Sequence, residues 1–369
     1  MQPGPNIVML GDTARSADLR YVVPVFIRDP FIYIERGGEQ YAFVHDYDAP
    51  VLAAVPNLTV GSLEELGLKD LVAAGWAGHV ALMEAAARAC SRLGVADAVV
   101  PADFPLEVGE YLRSSGIQVS VDRTVFERRR RRKLDRQIEG MRRAQRAAEA
   151  AMTAVRAGLR DRQGGSTDEL RAAAMRALAD NAMIYDVMII SHGPQSAIPH
   201  HRGSGMVRQG EPIVVDIFPR DPRSGCWADM TRTFCVGEPP KELLEYRTAC
   251  LDARSAALPL IKPGTSGADV YAAAANVIRR HGFHVGRPAP ADAERVAAFV
   301  HGLGHGLGLA LHEGPNLGPG GDILLLGDVV SVEPGLYRQD FGGYRVEDTV
   351  LVTEQGREIL TQFDYDLEV

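Results

Sequence analysis

Three histidines, His301, His305 and His312, stand within the sixteen-residue stretch HGLGHGLGLALHEGPN, which also holds five glycines. Imidazoles this close together on so bare a backbone could bind a metal, relay a proton or hydrogen-bond a developing oxyanion. Four acids elsewhere pose the same problem. The segment EPIVVDIFPRDPRSGCWADMTRTF reads as a hairpin in which one apolar run ends at Asp216 and a second starts from Asp229. Side chains two apart share a strand face, which groups Asp216 with Val214 and Phe218, and Asp229 with Thr231 and Thr233. DVVSVEPGLY places Glu333 at the end of another apolar strand, and GGYRVEDTVLV puts Arg345, Glu347 and Thr349 on one face of the next.

Burying four like charges together is prohibitive unless protons or cations neutralise them. Two divalent metals supply that charge. With His305 the set becomes four carboxylates and one imidazole, a mixed oxygen and nitrogen set that suits Mn²⁺, Co²⁺, Fe²⁺ or Zn²⁺ and lacks the thiolates of a structural zinc site. Asp216 or Glu333 alone would read as an ordinary structural acid; the five residues together do not.

The elements that must position these residues fall into two expected domains, 1–122 and 123–369. In the first, apolar runs such as NIVML, FIYIE and YAFVH alternate with helical patterns around 77–94 and 105–114, an α/β pattern. The second opens on FERRRRRKLDRQIEGMRRAQRAAEAAM, read as one long amphipathic helix with Arg128–Lys133 on a solvated face. Ser166 and Glu169 form a capping-box pattern at the start of a second helix, and SGADVYAAAANVIRRHG offers a third. Helices followed by strand pairs predict an α+β domain with helices backing a curved antiparallel sheet, in which two similar halves are conceivable.

Composition narrows the function. A formal charge of −8 argues against a nucleic-acid surface. Four irregularly spaced cysteines, with no signal-like or membrane-spanning run, point to reduced thiols in a cytoplasmic protein without a membrane partner.

The motifs DIFPRDPRSGCWADMTRTF, HGLGHGLGLALHE, VEPGLY and GGYRVEDT, in this order, resemble the pita-bread metallopeptidases, the family of methionine aminopeptidase, aminopeptidase P and prolidase. The likeness covers about residues 135–365, and SHGPQSAIPHH fits it too. It implies a pita-bread catalytic domain behind an N-terminal creatinase/prolidase-like domain that caps the cleft. It implies that Asp216 and Asp229 ligate one metal, that His305 and Glu333 ligate the other, and that Asp229 and Glu347 bridge the two. By the same likeness His200, His301 and His312 surround the substrate, Glu333 shuttles a proton, and Arg345 orients Glu347 or pairs with substrate. PHH and GGYRVEDT resemble the proline-specific branch, which implies a dimanganese Xaa-Pro dipeptidase or aminopeptidase, a peptide substrate with proline at its second position, and a homodimer. A homologue acting on a non-peptide metabolite, or a non-catalytic binding protein, is the alternative. One departure is visible: thirteen positions separate Asp216 from Asp229, two more than is usual in the family, and the surplus is expected in the loop PRDPRSG.

Overall fold

The computed structural model describes residues 4–162 and 164–369. The chain divides after Arg130 into two compact units, later than the boundary expected at 122/123. The physical reason is Phe126, on the helix Arg123–Arg131, which is buried with Ile7, Phe31 and Leu52 in the core of the first unit.

In that unit β1 (Ile7–Gly11), β2 (Phe31–Arg36), β3 (Glu39–Val44), β4 (Leu58–Ser62), β5 (Asp97–Val100) and β6 (Gln118–Val121) form one mixed sheet, ordered β4-β3-β2-β1-β5-β6. Both faces are covered, which is why NIVML and FIYI are continuously apolar rather than alternating. Ile7, Met9, Phe31 and Tyr33 enter one core, while Val8, Ile32 and Ile34 enter the other, under the helix Gly78–Leu93.

The single long helix expected from residue 126 onward is two, Arg123–Arg131 and Asp135–Arg162. Between them the Leu134 N–H donates to the Gln137 side chain at 2.9 Å, which starts the second helix afresh. The basic run is not a solvated face either. Arg129 forks onto Glu35 at 2.6 and 2.7 Å and Arg130 pairs with Asp18. In the second unit Arg131 forks onto the buried Asp328 at 3.0 and 2.6 Å, and Lys133 pairs with Glu313, both side chains being 2% exposed. These acids are remote in sequence, so a one-dimensional reading sees only the bases.

The second unit repeats one theme. The helices Asp135–Arg162 and Thr167–Asp180 back β7 (Met188–His192), β8 (Ile213–Ile217) and β9 (Met230–Phe234), sharing a core of Met152, Val155, Leu170, Ile190, Val215 and Phe234. The expected capping box at Ser166 and Glu169 starts the second of these helices. The helices Lys241–Ala257 and Gly267–Arg280 then back two further sheets. One joins β10 (His284–Val285), β11 (Ala298–Phe299), β15 (Gly335–Arg338) and β16 (Gly342–Arg345). The other joins β12 (Gly304–Gly306), β13 (Glu313–Leu317), β14 (Val329–Val332), β17 (Asp348–Thr353) and β18 (Gly356–Ile359). Among the described strands of this unit, every strand pair apart from β10–β11 is antiparallel.

The segment GGYRVEDTVLV is therefore two strands in different sheets, not one. Arg232 helps hold the break: its guanidinium donates to the carbonyls of Thr231 and Glu347 at 2.9 and 2.7 Å and to Asp348 at 2.9 Å. The fully buried Asp348 also accepts from Arg254 and from the Tyr365 hydroxyl at 2.9 Å. Removing this carboxylate would leave buried Arg232 without its counter-charge, and such losses cost about 3–5 kcal/mol. Asp348→Ala should therefore lower the urea midpoint substantially at an unaltered m value; a midpoint equal to wild type would refute this role.

Candidate metal centre

Asp216 and Asp229 sit at the loop end of the β8–β9 hairpin. Ile217 pairs with Met230 and Asp216 with Thr231, so Asp216 and Thr231 share a face, and Asp229 immediately precedes β9. The surplus loop residues lie beyond them. There Asp221 accepts from the Ser224 N–H and hydroxyl at 2.9 and 2.7 Å and from Arg143 at 2.8 Å, which ties the tip to the helix Asp135–Arg162. Glu333 and Glu347 occupy a special place: each lies where the chain passes from one sheet to another, between β14 and β15 and between β16 and β17.

His305 is central in β12, at a register shift against β13. The flanking glycines are required by approach of neighbouring backbone. A Cβ on Gly304 would lie 2.0 Å from the Ser331 carbonyl oxygen, and one on Gly306 would lie 2.2 Å from that of Gly314. The His305 Nδ1 faces the Gly306 carbonyl at 3.1 Å, so it carries the proton and leaves the Nε2 lone pair free. That nitrogen lies 3.5 Å from Glu333 and 3.8 Å from Asp229. Ligand atoms of Asp229, His305 and Glu347 all fall within 4.8 Å of one another.

All five expected ligands, together with His200, His301, His312 and Arg345, line one cleft of about 1020 Å³ in the second unit. His301 accepts from the Tyr337 hydroxyl at 2.9 Å and gives its Nδ1 proton to the Gly302 carbonyl at 2.7 Å. The His312 ring meets that of His305 edge-on at 4.2 Å. Arg345 is placed differently from the expectation. It donates to Asp216 at 2.6 Å and reaches Glu347 only through Thr231, whose hydroxyl accepts from Arg345 at 3.1 Å and donates to Glu347 at 2.8 Å. Thr231, Tyr337 and Ser331 were not singled out in sequence. Ser331 accepts from the His305 N–H at 3.0 Å and lies 3.3 Å from Glu333. Strand alternation already sets Thr231 on the face of Asp229, the signal that could have found it.

The electrostatics describe a site built for cations. Burial, then Glu347, Asp216 and Glu333, push the Asp229 carboxyl well above the ordinary carboxylate range; burial, then Glu333 and Asp216, do the same to Glu347. Burial lowers the His301, His305 and His312 imidazoles, favouring the neutral form that a metal ligand such as His305 requires. Among the described residues, Asp216 Oδ1, Asp229 Oδ1 and Glu347 Oε1 are buried without a hydrogen-bond partner. Asp216 and Glu347 thus each have one oxygen tied down by the protein and one left over. Orphaned carboxylate oxygens around a neutral imidazole fit divalent metal ions.

Two histidines outside the cleft have acidic partners. His192 is buried, 2.7 Å from Glu211 and 3.1 Å from the Ser204 carbonyl oxygen. His45 lies 3.3 Å from Glu64.

Residues 139–354 match the family model of metallopeptidase family M24. The probable dipeptidase PepE of Mycobacterium tuberculosis is 36% identical over 184 residues, 49% of this chain and 46% of that protein. The Xaa-Pro dipeptidase of Pyrococcus furiosus is 31% identical over 226 residues, 61% of this chain and 60% of that one. These alignments span about half of the curated relatives. Among solved structures, the Xaa-Pro dipeptidase from Bacillus anthracis superposes with a TM-score of 0.82 at 21% identity, covering 99% of this chain and 95% of that one. The X-Pro aminopeptidase from Thermotoga maritima MSB8 gives 0.80 at 22% identity, covering 98% and 97%. At such identities the likeness establishes the fold, the pita-bread architecture that the sequence motifs implied.

The orphaned oxygens generate a stability test. In metal-stripped protein at pH 7, Asp229→Asn removes a buried acid whose ionisation folding opposes, so it should unfold at a temperature several degrees above stripped wild type. Added Mn²⁺ should then stabilise wild type and leave the variant where it was. Calorimetry with and without metal checks both arms, and equal metal stabilisation of the two proteins would contradict the assignment.

Proposed function

Because the chain belongs to metallopeptidase family M24, we propose that it hydrolyses the peptide bond preceding proline, as an Xaa-Pro dipeptidase or aminopeptidase P-like enzyme using two divalent metal ions. The observation that carries this reading is the trio Asp229, His305 and Glu347, with orphaned carboxylate oxygens, in one cleft. Asp216 and Asp229 would hold one ion, His305 and Glu333 the other, with Asp229 and Glu347 shared between them. The pair supplies, when bound, Lewis-acid polarisation of the scissile carbonyl and a water acidic enough to attack at neutral pH. Manganese is the proposed metal, with cobalt, iron or zinc accommodated by the same ligands.

The chain's own residues then divide the remaining work. Glu333, which lies 3.5 Å from the His305 Nε2 and is steadied by Ser331, would carry a proton toward the leaving proline nitrogen. His200 and His312 would donate hydrogen bonds to the carbonyl oxygen as it gains charge. Arg345 and Thr231 would hold Asp216 and Glu347 in place. His301, fixed by Tyr337, would contact the substrate, and Ile189, Ile198, Phe218 and Leu311 supply an apolar wall suited to a prolyl ring. The second unit is then the catalytic domain and the first a creatinase/prolidase-like domain. The four cysteines are free and buried among the described residues, which supports a reducing cytoplasmic setting. No described helix is long and apolar enough to cross a membrane. A homodimer completes the reading, with Ile198 on the cleft lining 53% exposed.

Two measurements follow. Chelator-treated protein should lose Xaa-Pro hydrolysis and recover it best with Mn²⁺ or Co²⁺, with Xaa-Ala turned over at least ~10-fold more slowly, a discrimination that a shaped apolar pocket can supply; full activity without metal would end this mechanism. His312→Ala should lower kcat by about 100-fold, the usual cost of one lost oxyanion donor, while metal content stays near two ions per chain. Metal lost in proportion to activity would make His312 a ligand instead.

A further inference from the structure

His312 is the least anchored of the three histidines around His305. His301 is fixed by Tyr337 and by the Gly302 carbonyl, and His305 by the Gly306 carbonyl. Among the described residues the His312 ring makes no hydrogen bond, and it meets the His305 ring edge-on. It stands outside regular structure, on the turn that leaves β12 at Gly306 and enters β13 at Glu313. The aim of the imidazole therefore depends on the backbone of that turn, and the turn is built around one carboxylate.

Glu313 Oε2 accepts from the Ala310 N–H at 3.3 Å, and Oε1 pairs with the Lys133 ammonium. Gly308 passes so close that a Cβ there would lie 2.5 Å from Glu313 Oε1 and 2.9 Å from Lys133 Nζ. The Gly308 N–H donates to the Ala310 carbonyl at 3.0 Å, and the Gly308 carbonyl accepts from the Trp227 N–H at 2.8 Å. The side chains of Lys133 and Glu313 are each 2% exposed. A pair so buried forfeits the hydration of both ions, and apolar residues of similar volume commonly hold such a place at least as stably. Stability alone does not account for the two charges. Neither residue lines the cleft, although Leu311 and His312, which precede Glu313 in the chain, both do.

Resting on the proposed function above, we infer that Lys133 is a positioning residue for the reaction: through Glu313 it fixes the turn that aims the His312 imidazole at the substrate's carbonyl oxygen. The ammonium holds the Glu313 carboxylate in one rotamer, the carboxylate holds the Ala310 N–H, and the turn closes with His312 at its exit. Without this ammonium the carboxylate is left buried and under-compensated, and the turn shifts to rehydrate it. A displacement of about 1 Å at a group that must meet the reacting atoms costs up to ~100-fold in rate.

The test uses Lys133→Met in Mn²⁺-loaded full-length protein with an Xaa-Pro dipeptide. Its kcat should fall about 10- to 100-fold, with KM within ~3-fold of wild type and metal content unchanged. The decisive arm is non-additivity: in the His312→Ala background, Lys133→Met should lower kcat by no more than ~2-fold, because the group it positions is already gone. Lys133→Arg should recover part of the loss. Lys133→Met combined with Glu313→Leu, an apolar pair in place of the ions, should regain the thermal midpoint lost in Lys133→Met but not its kcat. This apolar pair also replaces Lys133→Met in every arm if the single variant does not fold. Full additivity with His312→Ala, recovery of kcat by the apolar pair, or metal lost in step with kcat overturns the inference and leaves the proposed function standing. If wild type cleaves no Xaa-Pro peptide, the proposed function fails, and the ring signals of ¹⁵N-histidine-labelled, Zn²⁺-loaded protein decide the positioning role. Lys133→Met should then shift the His312 signals, identified by their loss in His312→Ala, and leave those of His45 and His281 in place. Unmoved His312 signals overturn the inference.

Discussion

Four carboxylates converge on one imidazole in a cleft where Asp216, Asp229 and Glu347 are buried, and much of the second unit is arranged so that this costly grouping can exist. Burial and then Glu347 raise the proton affinity of Asp229, burial and then Glu333 raise that of Glu347, and neither has enough hydrogen bonds from the protein to offset its desolvation. What the protein provides is partial compensation. Arg345 neutralises one charge, Thr231 satisfies one oxygen, and the rest of the negative potential is left for cations to meet. A fully satisfied network would bind no metal; an unsupported one would not fold.

The scaffold reaches this balance through interruptions in its sheets. Glu333 and Glu347 lie where strands pass from one sheet to another, His305 at a register shift, and Asp229 just before a strand begins. Side chains within a regular ladder point alternately to opposite faces, so a continuous strand could not deliver them all to one cleft. The breaks free the chain to turn these residues inward. Their cost falls on nearby groups: Arg232 supplies donors to the carbonyls exposed around the β16–β17 break, and buried Asp348 balances Arg232 and Arg254.

The basic run from Arg128 to Lys133 illustrates how pairing changes the meaning of charge. Six consecutive bases look like a solvated surface, yet Arg129 and Arg130 are paired within the first unit, and Arg131 and Lys133 within the second. Glu313, the partner of Lys133, directly follows His312, and its other oxygen accepts from the Ala310 N–H at 3.3 Å. The segment carrying His312 is thus held by a buried ion pair that starts in what reads as an unremarkable charge run.

By itself the sequence determined the α/β and α+β character of the two parts and the helix cap at Ser166, and it singled out the five residues proposed for the metal set, because these depend on local periodicity and on residue types whose burial needs explaining. The family motifs extended that reading to His200, His301, His312 and Arg345, all of which line the cleft. Only the tertiary structure decided that GGYRVEDTVLV is two strands, that Arg345 reaches Asp216 directly and Glu347 through Thr231, and that His192 is buried on Glu211. Each of these depends on partners far away in the chain, and an ion pair or a sheet crossing leaves no periodic trace in the residues that form it.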